Sequence, residues 1–390
     1  MRHALATTAL LVAAPFLAAC TENADSSDGA ADGGDPRALS VESSDDACDV
    51  SAATAPAGTL TFEVTNTGSQ VTEFYLLGED GLRIVSEVEN VGPNLTREMT
   101  VNAPAGSYFT ACKPGMTGEG IRADFTVTES DDAPEVTAGD QQLIDQAVEN
   151  YAAYVQDQSD QLLTKTTQFV DLYKSGDDDG ARTLYAEART HWERIETVAE
   201  SFGDLDPMMD AREADLEPGQ EWTGWHRIEK DLWPERATDY TPLTTAERAT
   251  FADDLLANTK TLDGRVQELT YTVDQIANGS RGLLEEVATG KVTGEEEYWS
   301  RTDLWDFQAN VDGARVGYEG LEPILQEKDP DLATELDDRF ADLQALLDQH
   351  KVGDGFKTYD QLTPDEVKAL SDAVNALSEP LSKLTAAVLS

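Results

Sequence analysis

The hydrophobic period of the chain changes once, at Asp131-Asp132-Ala133-Pro134, and the change separates two kinds of fold. Before it, apolar residues fall at every second position: Leu60, Phe62 and Val64 share one face, and Ala123, Phe125 and Val127 form another such run. A strand points successive side chains to opposite faces, so a period of two predicts strands with one side in a core. Asn66-Thr67-Gly68 and Pro104-Ala105-Gly106 supply turns, and short strands at this spacing predict a small β-sandwich, with residues 39–57 as its first strand or lead-in. After the change the period is helical, as in Leu143, Ala147, Tyr151 and Tyr154 and later Leu255, Leu262, Val266 and Leu269. Thr244 to Glu247 and Thr363 to Glu366 read as capping boxes, and Asp329-Pro330 as a third helix start. The expected fold class is therefore multi-domain: a small N-terminal β-sandwich over 45–130, a linker over 131–138, and an all-α helical bundle over 139–390.

The N-terminus carries a different signal. An apolar run from Ala4 to Ala19 ends in Leu17-Ala18-Ala19-Cys20, with polar residues beyond. The run is shorter than the roughly 20 residues of a spanning helix, and small residues precede a cysteine. Residues 1–19 thus read as a lipoprotein signal peptide, with Cys20 lipidated and anchored to the outer face of the cell membrane. Residues 20–44, rich in Gly, Asp and Ser, read as a flexible acidic tether. The formal charge of -48 excludes nucleic acid, whose binding needs a basic surface to displace counterions. Solubility explains an acidic surface as well as cation attraction does, so charge by itself identifies no ligand.

Two patterns in the helical half carry chemistry. His226 and Glu229 lie one helical turn apart, so their side chains leave the same face about 5–6 Å apart at Cβ. Glu193 and Glu196 repeat that spacing, with Ile195, Val198 and Ala199 as the buried stripe. Helical bundles build carboxylate–histidine metal centres from such pairs, and adjacent buried glutamates need a cation to compensate them. His191 falls on another face and reads as structural, while His350, just before Lys351, reads as a residue complementing a helix C-terminus. Trp222, Trp225, Trp299 and Trp305 read as core around the site.

Besides Cys20, only Cys48 and Cys112 remain, both in the β-half. Outside the cytoplasm two such cysteines either pair or hold a metal, and the residues leave both open. Residues 106–116, with Cys112 and Met116 one loop apart, resemble the ligand loop of a cupredoxin, and soft sulfur ligands suit copper. No histidine lies between His3 and His191, so a conventional blue-copper centre is not expected.

Residues 171–215, Thr223 to Glu229 and residues 294–313 resemble the imelysin-like domain of the EfeO-type family of iron-uptake lipoproteins. Val71 to Tyr75 and Ser86 to Asn90 are similar to that family's cupredoxin-like domain, so the likeness spans nearly the whole mature chain. It implies an extracytoplasmic component of an EfeUOB-type system that binds ferrous or ferric iron and delivers it, with an iron permease and a haem peroxidase as partners. It also implies a metal site on His226, Glu229, Glu193, Glu196 and Asp210, with Glu296 from the run 295–297 as a further ligand. A modified β-domain site for ferric iron or copper would use Cys48, Glu73, Glu89, Cys112 and Met116. Arg301 stands where relatives often have histidine and is expected to pair with a carboxylate.

No enzyme is expected. A zinc metallopeptidase is one alternative, but glutamate stands where the second histidine of His-Glu-x-x-His belongs. A copper-dependent ferrous-iron oxidase is the other, and it needs a redox metal on Cys112, which a Cys48–Cys112 bridge would exclude.

Overall fold

The computed structural model describes residues 35–118, 120–130, 138–216 and 219–389. The expected signal peptide, Cys20, and most of the expected tether and linker lie outside these residues. Nine strands build the β-half: β1 (Ala38–Ser43), β2 (Cys48–Val50), β3 (Thr54–Pro56), β4 (Gly58–Asn66), β5 (Thr72–Leu77), β6 (Ile84–Val91), β7 (Thr96–Ala103), β8 (Gly106–Cys112) and β9 (Ile121–Thr128). They form a four-stranded sheet in the order β2-β1-β4-β7 and a five-stranded sheet in the order β3-β9-β8-β5-β6. Between the sheets the Phe62 ring meets Phe74 at 5.3 Å and Phe125 at 5.7 Å. β1 buries Leu39, Val41 and Ser43 and exposes the residues between, and it pairs parallel to β4 with Val41 opposite Val64. It starts inside the stretch expected as tether. The polar average over 20–44 conceals Leu39 and Val41, and two apolar residues at period two are enough to seat a strand between β2 and β4.

Cys48 on β2 and Cys112 at the end of β8 form a disulfide, which staples one sheet to the other. Closing a loop of 64 residues is worth about 4 kcal/mol by chain entropy. Residues 35–390, unfolded without reductant, are expected to show no titratable thiol and to show two after reduction. Cys48→Ala with Cys112→Ala is expected to lose about 2–5 kcal/mol in denaturant unfolding. Two thiols in the unreduced chain would refute the bridge.

The helical half comprises α1 (Ala138–Ser175), α2 (Asp178–Glu193), α3 (Glu196–Glu200), α4 (Asp206–Met209), α5 (Gly224–Leu232), α6 (Thr245–Val266), α7 (Val273–Thr289), α8 (Asp303–Lys328), α9 (Pro330–Asp348), α10 (Pro364–Leu381) and α11 (Leu384–Leu389). A two-stranded hairpin, β10 (Lys351–Val352) with β11 (Gly355–Phe356), follows α9. α8 lies at the centre, with Leu304, Phe307, Val311, Ala314, Tyr318, Leu321 and Leu325 all buried at alternating steps of three and four. α1 faces the same core through Tyr151, Val155, Leu162, Phe169 and Tyr173. Capping boxes form at Thr244 with Glu247 and at Thr363 with Glu366, and Asp329 caps α9 ahead of Pro330, each worth about 1 kcal/mol. No described helix is long and apolar enough to cross a membrane.

α7 joins the two halves. β6 and β7 are the outermost strands of their sheets, and α7 lays one polar face along both. Asp274 Oδ2 accepts from the Asn102 amide at 2.9 Å, and Asn278 Nδ2 donates to Thr100 O at 2.8 Å. Arg281 Nη2 donates to Glu87 O at 2.9 Å, and Glu285 pairs with Arg97 at 2.6 Å. These four residues recur at steps of four, three and four, a single helix face whose polar groups meet edge strands that would otherwise be open.

Candidate metal centre

Two glycines permit the close approaches that assemble the centre. Gly224, at φ +82°, begins α5, and a Cβ there would lie 2.1 Å from Met209 O, so α5 starts directly against the end of α4 and sets His226 beside Asp210. At Gly313 a Cβ would lie 2.6 Å from Arg194 O, so α8 passes close enough to the end of α2 for Asn310 to donate to Glu193 O at 2.8 Å. Glu193 and Glu196 do not share one unbroken helix, as their spacing had predicted. α2 ends at Glu193 and α3 begins at Glu196, yet both carboxylates turn into the same interior.

His226 is 1% exposed. Its Nδ1 lies 3.3 Å from Glu229 Oε2, and Glu229 Oε1 accepts from the amides of Trp299 at 2.8 Å and Ser300 at 2.6 Å. The glutamate is thus fixed on one oxygen and orients the imidazole with the other, as outer-shell carboxylates do for metal-binding histidines. The opposite nitrogen, Nε2, has no hydrogen-bond partner and lies 3.4 Å from Asp210 Oδ1 and 3.5 Å from Glu296 Oε1.

Two buried cations share this interior. Arg189 donates to Asp210 and Glu193, and its Nε lies 2.6 Å from Glu297 Oε1 and 3.4 Å from Asp306 Oδ2. Lys291 Nζ lies 2.9 Å from both Glu193 Oε2 and Glu196 Oε2. Carboxylates still outnumber cations, and burial pushes Glu193 up to about 8 and Glu229 up to about 7. Burial likewise holds Glu196 and Asp306 well above the usual carboxylate range. Asp210 is an exception, because Arg189 and His226 outweigh its burial and hold it below that range. Glu296 is another, held low by Lys291 and His226. Burial and Arg189 press His226 toward the neutral form, but Asp210, Glu229 and Glu296 prevail and raise its pKa well above the usual value. The two carboxylates facing Nε2 are thus held toward the ionised form, and a metal taken up at Nε2 would displace a proton from the imidazole.

Three groups of donor atoms converge within 4.8 Å among the described residues: Asp210 with His226 and Glu296, His226 with Glu229 and Glu297, and Glu193 with Glu196 and Asp210. All three lie in the helical half. The first borders a cavity of about 610 Å³ between the halves, walled by Glu89 and Met116 on the β side and by Asp210 and Glu296 on the helical side. The second is turned inward, with Tyr185 donating to Glu297 at 3.2 Å and Ser300 at 2.7 Å.

This arrangement has known relatives. The Imelysin family matches residues 147–384, more than half of the chain, and the Cupredoxin-like domain family matches residues 8–127. The iron uptake system component EfeO of Escherichia coli O157:H7 is 35% identical over 352 residues, 89% of this chain and 90% of that protein. The component of the same name from Yersinia pestis is 36% identical over 353 residues, 90% and 91% of the two chains. The chain belongs to the EfeO family. Both of these relatives are named as components of an iron uptake system.

In this EfeO-family chain the expected residues divide among the three groups: Asp210 and Glu296 meet His226 in one, Glu229 meets it in the second, and Glu193 and Glu196 meet Asp210 in the third. The set expected in the β-half does not come together. Cys48 and Cys112 spend both sulfurs on their bridge, which also removes the copper-dependent oxidase that needed Cys112. Glu73 accepts from Tyr75 Oη at 2.6 Å and lies 3.8 Å from Lys113, while Glu89 and Met116 border the cavity instead. Among the described residues Arg301 meets no carboxylate: it donates to Gly294 O at 3.2 Å and stacks on Tyr298 at 4.7 Å. His191 is structural, buried against Gln158 at 2.9 Å. Glu297, Arg189, Lys291 and Asp306 went unforeseen. Arg189 was one turn before Glu193, and Asp303, Asp306 and Asn310 form a polar stripe on an apolar helix, so both carried a readable signal; Lys291 carried none.

Proposed function

We propose that this chain captures iron outside the membrane at His226, Asp210 and Glu296 and releases it to the membrane permease of the same uptake system. One observation carries the reading: a buried imidazole nitrogen, without a hydrogen-bond partner among the described residues, faces two carboxylates that are held low and that line a cavity. One nitrogen and two carboxylates suit ferrous or ferric iron, and the same donors accept zinc. Glu229 orients the histidine, and Glu193 and Glu196 are held by Lys291. The lipidated Cys20 keeps the capture site near the permease, with the haem peroxidase of the system as second partner.

The test is titration calorimetry of residues 36–390 with Fe(II) under argon, ferric citrate and Zn(II), in two buffers of different ionisation enthalpy. Iron is expected to bind with net proton release, and more tightly at pH 8 than at pH 6, because His226 and the Glu229 behind it lose protons on the way to the bound state. Asp210→Asn with Glu296→Gln is expected to weaken binding by more than the roughly 10–100-fold that an outer partner costs. Unchanged iron affinity in that variant sinks the reading.

A further inference from the structure

A carboxylate can give a metal ion one oxygen or both, and the number it gives sorts ions by the size of shell they need. Asp210 has little choice. A carboxylate presents about four lone pairs, and hydrogen bonds already engage most of those on Asp210. Its Oδ2 accepts from Trp192 Nε1 at 2.9 Å and from Arg189 Nη2 at 3.3 Å, and its Oδ1 accepts from Arg189 Nη1. What is left over sits on Oδ1, the oxygen that lies 3.4 Å from His226 Nε2. Arg189 and Trp192 hold the residue together because they stand one turn apart on α2, both fully buried, where water does not compete for the carboxylate. Glu296 is divided in the same way: its Oε1 lies 3.5 Å from Nε2, and its Oε2 lies 3.5 Å from Arg212 Nη1.

We propose that Trp192 and Arg212 determine the specificity of the centre, each holding one oxygen of a ligating carboxylate away from the metal, so that the centre takes a small transition-metal ion and refuses calcium. The inference rests on the reading that His226, Asp210 and Glu296 bind the cargo. With Asp210 Oδ2 and Glu296 Oε2 withheld, the chain offers one nitrogen and two single oxygens. Iron and zinc accept so small a set and complete it from solvent. Calcium needs about six to eight oxygens and commonly takes both from a carboxylate. Trp192 and Arg212 are positioning residues: neither touches the ion, and each acts through the carboxylate it holds.

The experiment loads residues 36–390 with Zn(II) and back-titrates with Ca(II), reading the released zinc with a fluorescent chelator. Calcium held elsewhere on the acidic surface does not enter this competition. The zinc-to-calcium preference is expected to fall at least about tenfold in Trp192→Phe, where Asp210 Oδ2 loses its indole donor, and in Arg212→Gln, where Glu296 Oε2 loses its cation. A purely structural role would weaken both ions alike and leave the ratio where it was. An unmoved ratio in a folded variant therefore overturns the role of its residue. Should Trp192→Phe fail to fold, Arg212→Gln decides alone, since that side chain is 30% exposed and its loss opens no core. A native chain that binds no zinc refutes the reading of the centre and this proposal with it, whereas tight zinc binding with both ratios unmoved refutes this proposal only.

Discussion

His226→Ala is expected to abolish tight metal binding in residues 36–390, whereas Glu229→Gln is expected to weaken it only about 10–100-fold. The asymmetry follows from how each oxygen of Glu229 is engaged. One accepts two backbone amides and the other faces His226 Nδ1, so the residue orients the ligand from behind. Glutamine keeps an acceptor for the amides but gives up the charge that favours a proton on Nδ1. Its ring then turns more freely, and Nε2 is less often aimed between Asp210 and Glu296. Removing His226 takes away the single nitrogen donor of this group. Competition with a fluorescent chelator gives both affinities, and circular dichroism checks that the variants fold. If Glu229→Gln falls as far as His226→Ala, Glu229 is itself a ligand and the inward-facing group with Glu297 holds the metal.

Arg189→Met is expected to lower the stability of the metal-free chain by about 3–5 kcal/mol, the usual result of stripping one partner from a buried ionic cluster. Arg189 is fully buried and pairs with Asp210, Glu193, Glu297, Asp306 and, at 3.8 Å, Glu296, so its loss leaves five carboxylates with less compensation. The loss is expected to be greater at pH 8 than at pH 5. Glu193 at about 8, Glu229 at about 7 and Asp303 at about 7 hold protons in the folded chain that the unfolded chain has already released above its ordinary carboxylate values. Because the folded state binds more protons in that window, stability is fully present below the unfolded values and falls as pH rises through about 7 to 8. Asp210 and Glu296 act in the opposite sense, contributing above the ordinary carboxylate range and losing their contribution as pH drops below it. Urea unfolding of native chain and variant at both pH values decides it. A variant as stable as the parent at pH 8 would mean that solvent reaches these carboxylates.

The division of the chain into sandwich and bundle was legible because backbone geometry imposes its period on the apolar residues, and the period changes at one place. Helix starts were legible for the same local reason: Thr244, Thr363 and Asp329 act on amides two or three residues away. His226 and Glu229 could be paired since one helix carries both. The family likeness, and not spacing, brought in Asp210 and Glu296. Arg189 and Lys291 escaped because a lone cation in a sequence most often belongs to a solvated face, and only convergence of α2, α4, α5, α8 and the turn after α7 decides otherwise. The cysteines stayed ambiguous for a related reason. A bridge and a metal site both ask for two thiols in one small domain, and it takes the positions of β2 and β8 on opposite sheets to choose.

Glu285 and Glu286 are neighbours on α7 with opposite allegiances, the first gripping Arg97 of the sandwich and the second reaching Lys291 in the metal chamber. At this one peptide unit the seam between the two halves meets the acidic cluster. α7, a rod about 25 Å long, thus holds the sandwich through one glutamate and the buried lysine through the next. What looks in sequence like an appended module supplies one wall of the acidic cavity.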